Sequence, residues 1–154
     1  MRRRFLYVAN DWTRASQLRA TPGIGASMAE YVEWQIRFFR GIGSVLRQQI
    51  DYRPYPHEYG WHMAERISDL FPEIRIRKPN RVLRRFEREL WYYDGLIVDH
   101  LGTCFLQVLA AQRPVLVFWK PEWFPLRDSM KAYFAELRRL GVYHETPEQA
   151  AEQL

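Results

Sequence analysis

The sequence predicts an open α/β fold, a mainly parallel sheet of Rossmann type flanked by helices within a single domain spanning residues 1–154. Three observations predict it. The short apolar runs Phe5-Leu6-Tyr7-Val8-Ala9, Gly95-Leu96-Ile97-Val98 and Pro114-Val115-Leu116-Val117-Phe118-Trp119 have the length and content of strands buried on both faces. Between such runs lie longer stretches with apolar residues at helical spacing, and strands alternating with helices imply parallel pairing through right-handed crossovers. The first two runs end in polar turns, Asn10-Asp11-Trp12 and Asp99-His100-Leu101-Gly102, and such turns are where open α/β sheets hold ligands.

Taken in order, the first strand is followed by a Thr-, Pro- and Gly-rich loop reaching Gly25. From Ser27 to Leu46, Met28, Tyr31, Val32, Ile36, Phe39 and Ile42 recur at helical spacing among Glu30, Glu33, Arg37 and Arg40, predicting one long helix loosened by Gly41 and Gly43. A second strand, Gln49 to Tyr52, is broken by Arg53-Pro54-Tyr55-Pro56, because proline supplies no ladder N–H. Trp61 to Leu70 reads as a helix closed by Phe71-Pro72, Ile74 to Ile76 as a short strand, and Val82 to Trp91 as a basic helix. Thr103 stands where a helix N-cap belongs, ahead of a helix from Phe105 to Ala111. Leu126 to Leu140 forms a further amphipathic helix ended by Gly141, and Val142-Tyr143 a last edge strand. Thr146-Pro147-Glu148 starts a terminal helix, with Thr at the cap, Pro at the first helical position and an acid in the first turn.

The formal charge of +5 and pI near 9.6 favour anionic partners: nucleotide phosphates, a lipid headgroup surface or nucleic acid. Much of the excess lies in Arg2-Arg3-Arg4 and in the cluster Arg75, Arg77, Lys78, Arg81, Arg84, Arg85 and Arg88, which also fits a solvated face. The single cysteine, Cys104, rules out an internal disulfide framework and a cysteine-based zinc site, and a packing role under its turn is preferred for it. His57, His62, His100 and His144 show no paired ligand spacing, so neither a metal nor a resident cofactor is expected. No apolar run approaches the roughly 18 residues of a membrane span, and the start is too short for a secretory signal, so a cytoplasmic location is expected.

The turn after Val98 is the best candidate site. A helix start offers unpaired backbone N–H groups and the positive end of the helix dipole, so Gly102 and Thr103 form a seat for phosphate. His100 beside it can stabilise a leaving group as an imidazolium, while Asp99 fixes the turn by accepting backbone N–H bonds. Arg53, at a strand end, either makes a charge-assisted contact to a diphosphate or pairs with Asp51 or Glu58. His57 and Glu58 carry acid, base or phosphate-binding chemistry, or serve only as loop residues; His144 and Glu145 reach over the same sheet edge, or serve only the helix cap that follows.

Three blocks carry a resemblance: Arg53-Pro54-Tyr55-Pro56-His57-Glu58-Tyr59-Gly60-Trp61; Ile97-Val98-Asp99-His100-Leu101-Gly102-Thr103-Cys104-Phe105-Leu106 with Pro114 to Trp119; and Gly141 to Ala151. Together they resemble a transferase family of bacterial surface-carbohydrate gene clusters. More distantly the layout is similar to the carboxyl-terminal, nucleotide-sugar-binding half of a GT-B glycosyltransferase. The resemblance implies donor phosphates held by Arg53, Gly102 and Thr103, catalytic roles for His100 and His57, and ribose or base contacts from Gln107, His144 and Glu145. Tyr55 stands where such relatives carry histidine, and Gln107 where they carry an acid, which weakens donor binding or leaves an inactive copy. A GT-B cleft also needs a second domain, for which this chain has no room. It is therefore expected to be one half: a fragment, a split gene product or a stand-alone donor-binding domain.

The partners implied are a nucleotide-sugar donor, a saccharide or lipid-linked acceptor and a separate N-terminal-type domain, with peripheral association at the inner face of the cytoplasmic membrane compatible with the charge. The rival expectation is a non-catalytic nucleotide-binding or regulatory module. A nucleic-acid partner rests only on charge and aromatics, has no recognition motif and is not expected.

Overall fold

The apolar runs pair as expected. In the computed structural model, which describes residues 3–11, 26–77 and 86–154, β1 (Phe5–Val8), β2 (Ile50–Arg53), β4 (Gly95–Val98) and β5 (Val115–Phe118) form the middle of a sheet edged by β3 (Arg75–Ile76) and β6 (Tyr143–His144). All five pairings are parallel and the order is β3-β2-β1-β4-β5-β6. That is the doubly wound Rossmann order, in which the chain reverses its winding between β1 and β4 and leaves a crevice at the carboxyl ends of those two strands. Leu6, Tyr7, Ile97 and Val98 are fully buried because helices cover both sides of the sheet.

Two of these helices, α1 (Ala26–Gly41) and α7 (Pro147–Gln153), pack along each other, tied by the paired hydrogen bonds of Arg37 to Glu148 at 2.7 and 2.8 Å. Trp34 and Phe38 are buried as well as the six apolar positions of the helical stripe, because α1 is covered both by the sheet and by outer elements. The expected Ser27–Leu46 helix is two: Gly43 is extended (φ −67°, ψ 153°), and a separate turn, α2 (Ser44–Arg47), follows. Gly41 is needed at the end of α1, since a Cβ there would stand 2.8 Å from Ala151 Cβ.

The helix expected from Trp61 begins later, as α3 (Met63–Leu70). Gly60 (φ 86°) and His62 (φ 52°) are left-handed and cannot continue a helix backwards. Of the basic helix expected over Val82 to Trp91, the described part is α4 (Phe86–Glu89) and a 3₁₀ turn at Leu90–Tyr92. Lys78, Arg81, Val82, Arg84 and Arg85 lie outside the described residues, as do Arg2, Trp12 and the loop to Gly25.

Helices α5 (Thr103–Ala110) and α6 (Asp128–Arg139) meet on the other face through Phe105 and Phe134, which enclose Trp119 with Tyr143. Gly141 ends α6 as expected: at φ 70° it sets the bonds Gly141 N–H to Arg138 O and Val142 N–H to Leu137 O, a Schellman motif. The last strand lies one residue later than expected, at Tyr143–His144. Thr146 caps α7, its hydroxyl accepting from the Gln149 N–H at 3.3 Å. No described helix is long and apolar enough to cross a membrane.

Candidate functional site

The crevice at the sheet's reversal is built around a buried carboxylate. Asp99, the first residue after β4, accepts from Tyr7 Oη of β1 at 2.7 Å and from Gln35 Nε2 of α1 at 2.6 Å, both on Oδ2. Gln35 is itself oriented by Tyr52 of β2, whose hydroxyl donates to Gln35 Oε1 at 2.9 Å. Tyr7 and Tyr52 are register partners and their rings stack at 5.4 Å, so the sheet fixes both hydroxyls relative to Asp99. Side chains from three further elements, β1, α1 and β2, therefore converge on the turn. Among the described residues the partners of Asp99 are these side chains rather than the expected backbone N–H groups, and their apolar surroundings make each hydrogen bond costly to lose.

His100 completes the cluster. Its Nδ1 meets Asp99 Oδ1 at 3.0 Å, and the residue is buried. Burial alone drives the imidazolium down, but hydrogen bonds and charge from Asp99, together with the Cys104 side chain, outweigh it and push the pKa up to about 9. The ring is thus a cation at neutral pH, held beneath the start of α5. Burial and the nearby Asp99 charge push the hydroxyls of Tyr7, Tyr31 and Tyr52 far above their ordinary range, so they act as neutral donors.

The start of α5 corrects one expectation. The N-cap is Gly102, extended at φ −144° and ψ −179° and without a side-chain cap bond, and Thr103 is the first helical residue with an exposed side chain. Glycine is required by contact: an ideal Cβ on Gly102 would stand 2.7 Å from His100 Cδ2 and 3.1 Å from Nε2. The bare Cα lets the imidazolium lie directly under the helix start, adding its charge to the dipole and to N–H groups that have no intrahelical acceptor.

The other sequence candidates lie around this turn along the same carboxyl edge. Arg53, at the end of β2, donates through Nε to Glu89 Oε2 at 3.0 Å and lies over the Phe86 ring; Glu89 is buried and also takes Arg77 at 3.3 Å. Two guanidinium groups share one carboxylate, so the cluster keeps a positive balance. Arg53 pairs with neither Asp51 nor Glu58: Asp51 is held by Arg4, Arg75 and Tyr93, and Glu58 accepts the N–H groups of Gly60 (2.6 Å) and His62 (2.9 Å) at the entry to α3. Those bonds hold the Glu58 carboxyl below its ordinary range. His57 is exposed in a ring cluster with Tyr55 and Tyr59, and it lines a cleft of about 180 Å³ with Asn10 and Asp11.

Gln107 Nε2 donates to Glu87 Oε1 at 2.7 Å, which ties α5 to α4. His144 Nε2 lies 3.0 Å from Gly141 O, and Glu145 accepts from Arg138 at 2.9 Å beside a cleft of about 460 Å³ lined by Phe124, Phe134 and Tyr143. In the strand order His144 and Glu145 stand two strands from the His100 turn on one side, and Arg53 and His57 two strands away on the other, each about 10 Å across. The structure therefore brings Asp99, His100, Gly102 and Thr103 together. It leaves the remaining candidates along the rim of the same edge.

Sequence reasoning missed Tyr7, Gln35 and Tyr52. The available signal was a polar atom within an otherwise apolar stretch, clearest for Gln35 between Trp34 and Ile36. Among the described residues no group of three or more His, Cys, Asp or Glu side chains is placed to hold a metal ion.

A parallel sheet in this order, with a charged pair under a helix start at the reversal point, defines a Rossmann-like α/β protein whose ligand edge is the carboxyl end of the strands. The chain belongs to the LIC12162 family of transferases, whose profile, described as LIC12162 family transferase, matches residues 2–154. No curated protein and no solved structure matches it.

Proposed function

We propose that this transferase chain is the donor-binding half of a GT-B-type glycosyltransferase, taking a nucleotide-activated sugar in bacterial surface polysaccharide synthesis, of lipopolysaccharide or capsule. The observation that supports it is the buried Asp99–His100 pair beneath Gly102. In a transfer reaction the nucleotide departs with negative charge on its diphosphate. A fixed imidazolium and the α5 N–H groups, already oriented before substrate arrives, stabilise that charge without reorganisation. Thr103 Oγ1 adds a hydroxyl donor at the same turn. Arg53, with the positive balance of its cluster, faces the diphosphate from the β2 side, and His57 lies on the rim beyond it. Gln107, His144 and Glu145 are the candidates for ribose and base, each of which must exchange its present partner for the ligand.

The acceptor is a saccharide or a lipid-linked saccharide, presented by an acceptor-side domain that completes the cleft, at the inner face of the cytoplasmic membrane. Binding without turnover is a second reading. It is supported by Asp99, whose two oxygens are both engaged, so that it is unsuited to act as a general base.

Calorimetric titration with a panel of nucleotide sugars and nucleoside mono- and diphosphates tests the proposal, with Thr103→Ala and Arg53→Ala in parallel. The expected result is saturable binding of one nucleotide class, weakened by both substitutions. Binding with no sugar transfer to any acceptor, in the presence of the complementary domain, favours the second reading. Absence of binding across the panel overturns both.

A further inference from the structure

The edge of the sheet opposite the candidate site carries five of the nine large apolar side chains that stand exposed among the described residues. All six strands run parallel, so they begin at one edge, and the segments entering them lie there. Leu70 precedes β3, Val45 precedes β2, Trp91 and Tyr92 precede β4, and Leu140 precedes β6. With strands about 4.8 Å apart, these residues are spread along an edge of about 24 Å. Trp91 and Tyr92 stand near its middle, each 61% exposed, and exposed apolar surface of this kind marks an interaction face.

Arginines surround the two rings. Arg113, before β5, lies over the Trp91 ring at 5.2 Å and donates to Tyr93 O. Arg4, before β1, lies over the Tyr93 ring at 5.4 Å, gives its backbone N–H to Asp94 Oδ2 at 2.7 Å and pairs with Asp51 at 2.8 Å. Arg75, at the start of β3, shares Asp51 with it. Arg3 lines a groove of about 210 Å³ at the same edge with Phe5, Leu96 and Pro114. Among the described residues neither Arg3 nor Arg113 has a carboxylate partner. Around the rings four guanidinium groups thus stand against two carboxylates, Asp51 and Asp94, and Asp51 is buried.

We propose that this edge is a docking surface for an anionic lipid bilayer, with Trp91 and Tyr92 seated among the headgroups and Arg3, Arg4, Arg75 and Arg113 on the lipid phosphates. Indole and phenol rings are favoured at that depth, because the apolar body enters the interface while the N–H or O–H stays hydrated. Anionic lipids draw arginine to the surface, where its fork of donors matches a phosphate. A second copy docking symmetrically on this edge sets the same guanidinium groups against one another, whereas an anionic bilayer neutralises them. The attachment is to the surface, since no described helix is long and apolar enough to cross a bilayer. Gly102 and Thr103, at the opposite edge, then face away from the lipid and stay open to solution. This surface gives a position to the membrane location proposed above and stands independently of donor binding.

The test sediments the chain with vesicles of phosphatidylcholine alone, or containing about one-third phosphatidylglycerol. Binding to the phosphatidylglycerol vesicles is expected to be at least about tenfold tighter and to weaken as salt rises. The double variant Trp91→Ser, Tyr92→Ser and, separately, Arg3→Glu are expected to weaken it at least about tenfold, with circular dichroism showing native structure. Met130→Ser, which alters an exposed apolar residue at the opposite end of α6 from Leu140, is expected to leave it unchanged. Equal binding to both vesicle types, or binding to neither, overturns the proposal and needs no variant. A loss in Met130→Ser as large as in the double variant overturns it too. So does a dimer in analytical ultracentrifugation that the double variant dissociates while vesicles bind nothing, which assigns the edge to a second copy. Nucleotide calorimetry separates the two readings. Vesicle binding without nucleotide binding keeps the lipid surface and overturns the donor seat; nucleotide binding without vesicle binding does the reverse.

Discussion

Tyr7 Oη on β1 donates to Asp99 Oδ2 just beyond β4 at 2.7 Å, a hydrogen bond across the two strands between which the sheet reverses its winding. Because both groups are buried, this bond, with that of Gln35 at 2.6 Å, fixes the turn on which the candidate site is built. Tyr7→Phe removes one donor and leaves the carboxylate with fewer partners in a dry site. A loss of about 1–3 kcal/mol in urea denaturation is expected, with Gln35→Leu costing a similar amount. The double variant is expected to depart from additivity, since both donors serve one oxygen.

The Asp99–His100 pair makes stability depend on alkaline pH. The His100 pKa is raised in the folded chain from an ordinary 6.5 to about 9. A group raised on folding contributes fully below its unfolded value, so the contribution is complete below about pH 6.5 and fades as pH rises through about 9. On the order of 3 kcal/mol is at stake. Urea midpoints should hold steady near pH 6 and fall between pH 7 and 10. In Asp99→Asn that slope should disappear, because burial disfavours the cation once the carboxylate that stabilises it is gone.

Glycine substitutions separate contact from conformation. Gly102 has a backbone that any residue adopts, yet a Cβ would overlap the His100 ring at 2.7 Å. Gly102→Ala is expected to cost about 1–3 kcal/mol and to displace the imidazolium, visible as a change in its titration by NMR. Gly41→Ala meets Ala151 Cβ at 2.8 Å and should separate α1 from α7 at similar cost. Gly43→Ala, with nothing within 4 Å, should change stability by about 0.5 kcal/mol or less.

Two threonines at helix starts differ in kind. Thr146 caps α7 through its hydroxyl, so Thr146→Ala should lower stability by about 1 kcal/mol. Thr103 caps nothing and is exposed, so Thr103→Ala should leave the melting temperature within error while weakening nucleotide binding. A marked loss of stability in Thr103→Ala contradicts the assignment of the hydroxyl to the ligand.

The strands were legible because Gly95 to Val98 and Val115 to Phe118 are apolar throughout, which only a sheet covered on both faces tolerates. Their parallel pairing followed from the helices between them. The break at Gly43, the left-handed His62 and the shift of the α5 cap from Thr103 to Gly102 were not legible, because each answers to a local contact or backbone angle rather than to periodicity. At the site, Gly102 and His100 could be read from a polar turn after a buried strand. Tyr7, Gln35 and Tyr52 were not, since tyrosine and glutamine in apolar stretches show their purpose only once β1, α1 and β2 converge on Asp99.

The central claim is that the start of α5, backed by the His100 imidazolium, is where the ligand's phosphates rest. Backbone and histidine-ring NMR shifts, followed while a nucleoside diphosphate is titrated into the labelled chain, test it most directly. The account predicts that the largest shifts fall on Gly102, Thr103, Cys104 and the His100 ring, with smaller ones at Arg53. Shifts centred instead on the cleft between Phe124 and Tyr143, or none up to millimolar nucleotide, would contradict it.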